Sequence, residues 1–304
     1  SRGMHKTQFG PNFGAAVGGG GGGGAPQLFT VINGEPATAD IMDGLDLSFG
    51  RFAGGAEIAK LTDEAVAQFK ADDPAASAPA LLAIRAKLAA LPTDPVVTDK
   101  RAQLDRILQA CLGLSVETTV PNAEAVPGET LKLRHTAVVK ASVPVRWTGV
   151  NAGGTSASYQ EALAPGQPAS HDAANLLAPQ TPVSQPYWLR EEGTAGMFRV
   201  DETKLIGSPE NPPVFPVEYV FEVGGQTFVV RTEPVQLVAG ASEAQAKRKL
   251  VAIPPVALSF PLEVALFAPG ATKSVVLEVK AARAGTSGAV RLESAPVWMT
   301  EPGA

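Results

Sequence analysis

The hydrophobic period of the chain changes at Gly113-Leu114, and that change limits what the chain can fold into. Upstream, apolar residues recur at helical spacing in three stripes: Ile58, Leu61, Ala65 and Phe69; Leu81, Ile84, Leu88 and Leu91; Val97, Leu104, Leu108 and Cys111. Asp72-Asp73-Pro74 and Pro92 stop the first two. Asp94 can cap the third, with Pro95 at its first position, where a missing N–H costs nothing, and Gly113 just past its end. Residues 56–113 are therefore expected to form a small antiparallel three-helix bundle.

Downstream the period becomes two. Val116 to Val120 reads as a strand, and Ala125-Val126-Pro127-Gly128-Glu129-Thr130 as a turn. Leu131, Leu133, His135, Ala137 and Val139 then face one way, with Lys132, Arg134, Thr136 and Lys140 opposite, so His135 is expected in the core. Another strand contains Trp147. Phe215 to Val223 alternates, turns at Gly224-Gly225 and returns as a hairpin. Residues 151–180, rich in Gly, Ser, Ala and Pro, read as turns. Short strands with frequent turn signals give an immunoglobulin-like β-sandwich over 114–240, and the fold class is α+β multidomain. Residues 250–304 repeat the pattern, with Phe267 to Thr272 resembling the turn at 126–130, so a second, incomplete sandwich is expected there.

Residues 1–55 read as an irregular segment. The seven-glycine run at 18–24 lacks the spacing, lysine and following helix of a phosphate loop and reads as flexible. Leu28 to Ile32 is a short strand candidate, and the chain reads as a fragment or processed product.

A net charge of −5 argues against a nucleic-acid partner, and no apolar run is long enough for a membrane span. Lys247-Arg248-Lys249 reads as a solvated strand entry. The single cysteine, Cys111, is expected as a buried, inert thiol on a helix face. The chain's three histidines, His5, His135 and His171, sit in no motif for a metal or for catalysis. Tyr187 and Trp188 lie between Pro186 and Leu189, and Trp188 is expected between the sandwich faces.

Several segments carry a resemblance: Met4-His5-Lys6-Thr7-Gln8 with Phe9-Gly10; Asp43-Gly44-Leu45-Asp46 with Ser48-Phe49-Gly50-Arg51; Ala110-Cys111-Leu112-Gly113-Leu114 joined to Pro121-Asn122-Ala123-Glu124; and Gln185-Pro186-Tyr187-Trp188-Leu189. Together they resemble the region downstream of the catalytic domain in large bacterial PIG-L (LmbE-like) deacetylases. In that family a His-Pro-Asp-Asp-Glu motif and a later histidine hold zinc, and an aspartate activates the metal-bound water. None of those residues has a counterpart here, so no catalytic residue and no metal ligand is carried over. The resemblance implies an accessory region of an N-acetyl-sugar deacetylase, partnered by that catalytic domain, in the periplasm or outside the cell. Zinc would belong to the catalytic domain alone. His5 would then lie at the rim of the active site. Two alternatives stand beside it: a carbohydrate-binding module stacking sugars on Trp147, Tyr187 or Trp188, and a structural protein of an envelope assembly.

Overall fold

The computed structural model describes residues 43–240, 246–262 and 264–291. The chain divides into two compact units, residues 1–56 and 57–304. Of the first, the described part is a turn followed by a 3-10 helix, Phe49–Arg51, whose preceding Ser48 side chain accepts a hydrogen bond from the Gly50 N–H. His5, the glycine run and the strand expected at 28–32 lie outside the described residues.

The protein is α+β. Among the described residues, three α-helices precede the sheets: α1 (Ala56–Ala67), α2 (Ala78–Ala89) and α3 (Pro95–Leu112). The ends of α3 follow the sequence signals. Asp94 accepts the Val96 N–H at 2.8 Å, and Gly113 closes the helix in the left-handed region at φ 56°. The stripe on α1 is shorter than expected, because the helix ends at Ala67 and Phe69 stands exposed beyond it. Only Ile58 of that stripe is buried. On α3 the last buried position is Leu112, and Cys111 is partly exposed. Among the described residues, no helix is long and apolar enough to cross a membrane.

Two sheets follow. The first runs β10-β9-β1-β3-β6, built from β1 (Ser115–Thr119), β3 (Thr130–Val138), β6 (Ala169–Leu176), β9 (Pro234–Leu237) and β10 (Lys247–Lys249). The second runs β5-β4-β7-β8, from β4 (Val145–Ala152), β5 (Thr155–Ala162), β7 (Val217–Val223) and β8 (Gln226–Thr232). The chain changes sheet at Glu233, after which β9 pairs in parallel with β1. The short β2 (Glu124–Ala125) pairs in parallel with β11 (Val251–Ala252). Leu131, Leu133, His135 and Ala137 of β3 are buried, as their alternation requires, opposite Val217, Tyr219, Phe221 and Val223 of β7.

The region expected to hold only turns, 151–180, contains β5 and β6. These are edge strands rich in Ala and Ser, whose side chains give little hydrophobic alternation to read. Their neighbours β4 and β3 supply the backbone partners instead. Residues 177–216 hold no long strand, and the aromatic stretch there forms a 3-10 turn, Tyr187–Leu189. Near the C-terminus, β12 (Val256–Ser259) and β13 (Glu278–Ala281) form a separate two-stranded ribbon. The strand expected from Lys273 thus starts only at Glu278.

The helices are fixed to the second sheet at its β7–β8 turn. Gly224 and Gly225 adopt φ 54° and 75° there, and a Cβ on Gly224 would lie 2.7 Å from Leu82 Cδ1 of α2. Gln226 Nε2 donates to the Leu82 carbonyl at 2.9 Å, and Arg85 Nη1 donates to Gln226 Oε1 at 3.1 Å. Arg85 also pairs with Asp105 of α3 at 2.7 Å. Because Arg85 is largely buried, Arg85→Ala leaves Asp105 and Gln226 short of a partner. It is expected to cost about 1–3 kcal/mol in urea denaturation. A loss below about 0.5 kcal/mol, the range of an ordinary surface substitution, would show that the Arg85 bridge does little to dock the helices.

Candidate functional site

The polar centre of the molecule lies between the sheets. Thr118 of β1, His135 of β3 and Tyr219 of β7 are each at most 1% exposed. Donor counting fixes their order. Tyr219 Oη has one proton, and it lies 2.6 Å from the Glu117 carbonyl, which can only accept. The phenol oxygen accepts the Thr136 N–H at 3.2 Å. Thr118 Oγ1, at 2.9 Å, must therefore donate to Tyr219, and His135 Nδ1–H, also at 2.9 Å, donates to Thr118. Burial drives the Tyr219 phenol well above its ordinary range. It also pushes the His135 imidazole down to about 4, with the neighbouring His171 lowering it further and Asp172 opposing. At neutral pH a neutral histidine and a neutral phenol thus join β1, β3 and β7 in one hydrogen-bonded chain.

A second cluster lies at the open side of the two sheets, where β5 and β6 are the edges. His171 of β6 stacks on Tyr159 of β5 with centroids 3.8 Å apart, and its Nε2 meets Glu161 Oε2 at 2.8 Å. Trp147 stands edge-on to both rings. Its indole N–H donates to the Gly149 carbonyl at 2.9 Å, beside the register shift in β4. The adjacent His171-Asp172 pair does not gather ligands. Among the described residues, no three His, Cys, Asp or Glu come together in a way that could hold a metal ion.

The residues considered for sugar stacking separate clearly. Trp147 is fully buried and offers no face. Tyr187 is buried too: its N–H goes to Asn211 Oδ1, and its hydroxyl donates to the Ser208 carbonyl. Trp188, expected between the sandwich faces, is instead partly exposed, edge-on to Tyr187 at 4.9 Å. Of the two touching aromatics, Tyr187 takes the interior position and Trp188 the outer one.

The basic run 247–249 is neutralised. Lys247 pairs with Glu117, Arg248 with Glu124 at 3.3 Å, and Lys249 with both Glu210 and Glu233. On the outward face of the first sheet a shallow groove of about 760 Å³ runs past Lys132, Leu133, Arg134 and Asp172. Arg134 and Asp172, register partners on β3 and β6, meet in it at 3.9 Å. Sequence reading missed the Tyr159–His171–Glu161 cluster. The signal was present as Tyr-x-Glu at 159–161, but only the fold of β5 against β6 brings His171 to it.

Because protonation of His135 favours the unfolded chain, its contribution to stability is full above pH 6.5 and declines as pH falls towards 4. Thr118, Tyr219 and His171 face it, and Asp172 acts on it from the outer face of the sheet. The loss is expected to be on the order of 2–3 kcal/mol across that window. His135→Asn keeps a polar partner for Thr118 and removes the titration, so urea midpoints for this variant should change much less between pH 6.5 and 5. An unchanged slope would place the acid sensitivity elsewhere.

No family model matches the chain, and no curated protein does. Among solved structures, one similarity is to Pseudomonas fluorescens alkylpurine DNA glycosylase AlkC bound to DNA containing an abasic site analog. Identity is 12%, and the match covers 53% of this chain and 46% of that one. Its TM-score is 0.17, too low to carry an argument about fold or function.

Proposed function

We propose that the chain is a non-catalytic accessory region of a metal-dependent N-acetyl-sugar deacetylase of the PIG-L type, with an immunoglobulin-like sandwich at its centre. The sandwich reading is supported by three antiparallel strands, β1-β3-β6, facing four, β5-β4-β7-β8. It is also supported by a buried tryptophan on the third long strand, Trp147. The accessory reading rests on the segment Ala110 to Leu114, one of those that carry the resemblance. There the Leu112 carbonyl, at the end of α3, accepts the N–H groups of Lys140 and Ala141, just past β3. With the Arg85 bridge, this junction gives the helices one fixed attitude on the sandwich. That suits a part that spaces or presents a neighbouring domain. The reading frame preceding the codon for Ser1 tests it. A His-Pro-Asp-Asp-Glu motif in frame is expected there, and its absence from the complete frame would sink the proposal.

The partial exposure of Trp188 favours a second reading, a glycan-binding module. A fully buried tryptophan would cost about 3–5 kcal/mol when cut to alanine. Trp188→Ala, at a half-covered position, is expected to cost about 1–2 kcal/mol and to leave the sheets folded. Titration with N-acetylglucosamine oligosaccharides decides between the readings. Wild-type binding that the variant loses supports the module, and absence of binding in both proteins removes it.

A further inference from the structure

The β12–β13 ribbon has one apolar and one polar face. Leu258 pairs with Val279 and Val256 with Ala281, while Ala257 and Ser259 pair with Lys280 and Glu278 on the other side. Leu258, Val279 and the adjoining Phe260 are each at least half exposed. A two-stranded ribbon with a bare apolar face is marginal in water by itself. At its base Arg283 holds it to the first sandwich through Glu129, at 2.6 Å, and the Glu124 carbonyl.

The outer edge of β13 says what can pair with it. The Ala282 N–H donates to the Pro255 carbonyl, so even-numbered residues of β13 turn their backbone groups towards β12. Leu277, Val279 and Ala281 therefore turn theirs outward, and among the described residues no strand receives them. We infer that this edge pairs with the same edge of a second copy of the chain, antiparallel, about a two-fold axis at Val279. In that register Val279 faces its own copy and Leu277 faces Ala281, so every outward N–H and C=O is matched. Glu278 then lies opposite Lys280 twice, once in each direction. The stretch is self-complementary in backbone parity and in charge, as a symmetric interface requires. The product is a four-stranded sheet with Leu258, Val279, Val279 and Leu258 in one apolar row. The inference concerns assembly and stands apart from the proposed function.

Light scattering behind size exclusion, over a dilution series at micromolar concentration, is the experiment. A dimer is expected. Val279→Pro removes an outward donor while leaving the β12 ladder intact, and it should give monomer with unchanged far-UV dichroism. Lys280→Glu sets like charges opposite each other and should weaken dimerisation about tenfold. The double exchange Glu278→Lys with Lys280→Glu restores the pairing and should restore the dimer. A wild-type monomer, or association that survives both single substitutions, would overturn the inference.

Discussion

The Tyr219 hydroxyl is the interaction on which the two-sheet structure depends. It reaches from β7 across the interior to the backbone of β1, at Glu117, and of β3, at Thr136. A phenol there fixes how far apart the sheets stand and how they slide. Apolar neighbours such as Phe221 and Val217 fill space without setting a register. The same oxygen also takes the Thr118 hydroxyl, and through it His135. Three polar side chains that would each be costly to bury alone become affordable together, because none is left short of a partner.

That closure extends through the protein. Among the described residues, no buried side-chain nitrogen or oxygen lacks a hydrogen-bond partner. The edge cluster of Tyr159, His171 and Glu161 seals the side where β5 and β6 end the sheets, and Trp147 fills the space behind it. Exposed large apolar side chains gather instead in residues 258–279 and around 197–206. The satisfied interior and the apolar surface thus lie in different parts of the chain.

Legibility in the sequence followed how much of a signal was local. The Asp94 cap, the Gly113 terminator, the Gly224-Gly225 turn and the alternation on β3 each act within a few residues, and all were readable. His135 could be placed in the core by parity alone. Its partners could not, since Thr118 is 17 residues away and Tyr219 joins from another sheet. The strands β5 and β6 escaped because Ala and Ser carry no alternation, and their pairing is imposed by β4 and β3. Trp188 and Tyr187 were adjacent apolar rings with equal claims on burial. The choice fell to Tyr187 because its hydroxyl and N–H find Ser208 and Asn211 in a distant loop.

Charge shows the same division. Lys247-Arg248-Lys249 could be read as a solvated strand entry, but the partners of its cations could not. In the fold, the three cations meet carboxylates from four different places: Glu117 on β1, Glu124 on β2, Glu210 in a loop and Glu233 where the chain changes sheet. Each such pair is worth little by itself at the surface. Their combined effect is on position, because β10 is the outermost strand of its sheet and only three residues long. Ion pairs on both of its sides hold it where its short ladder with β9 would be weak. The basic run thus fastens the edge from which the chain leaves for β11 and the ribbon.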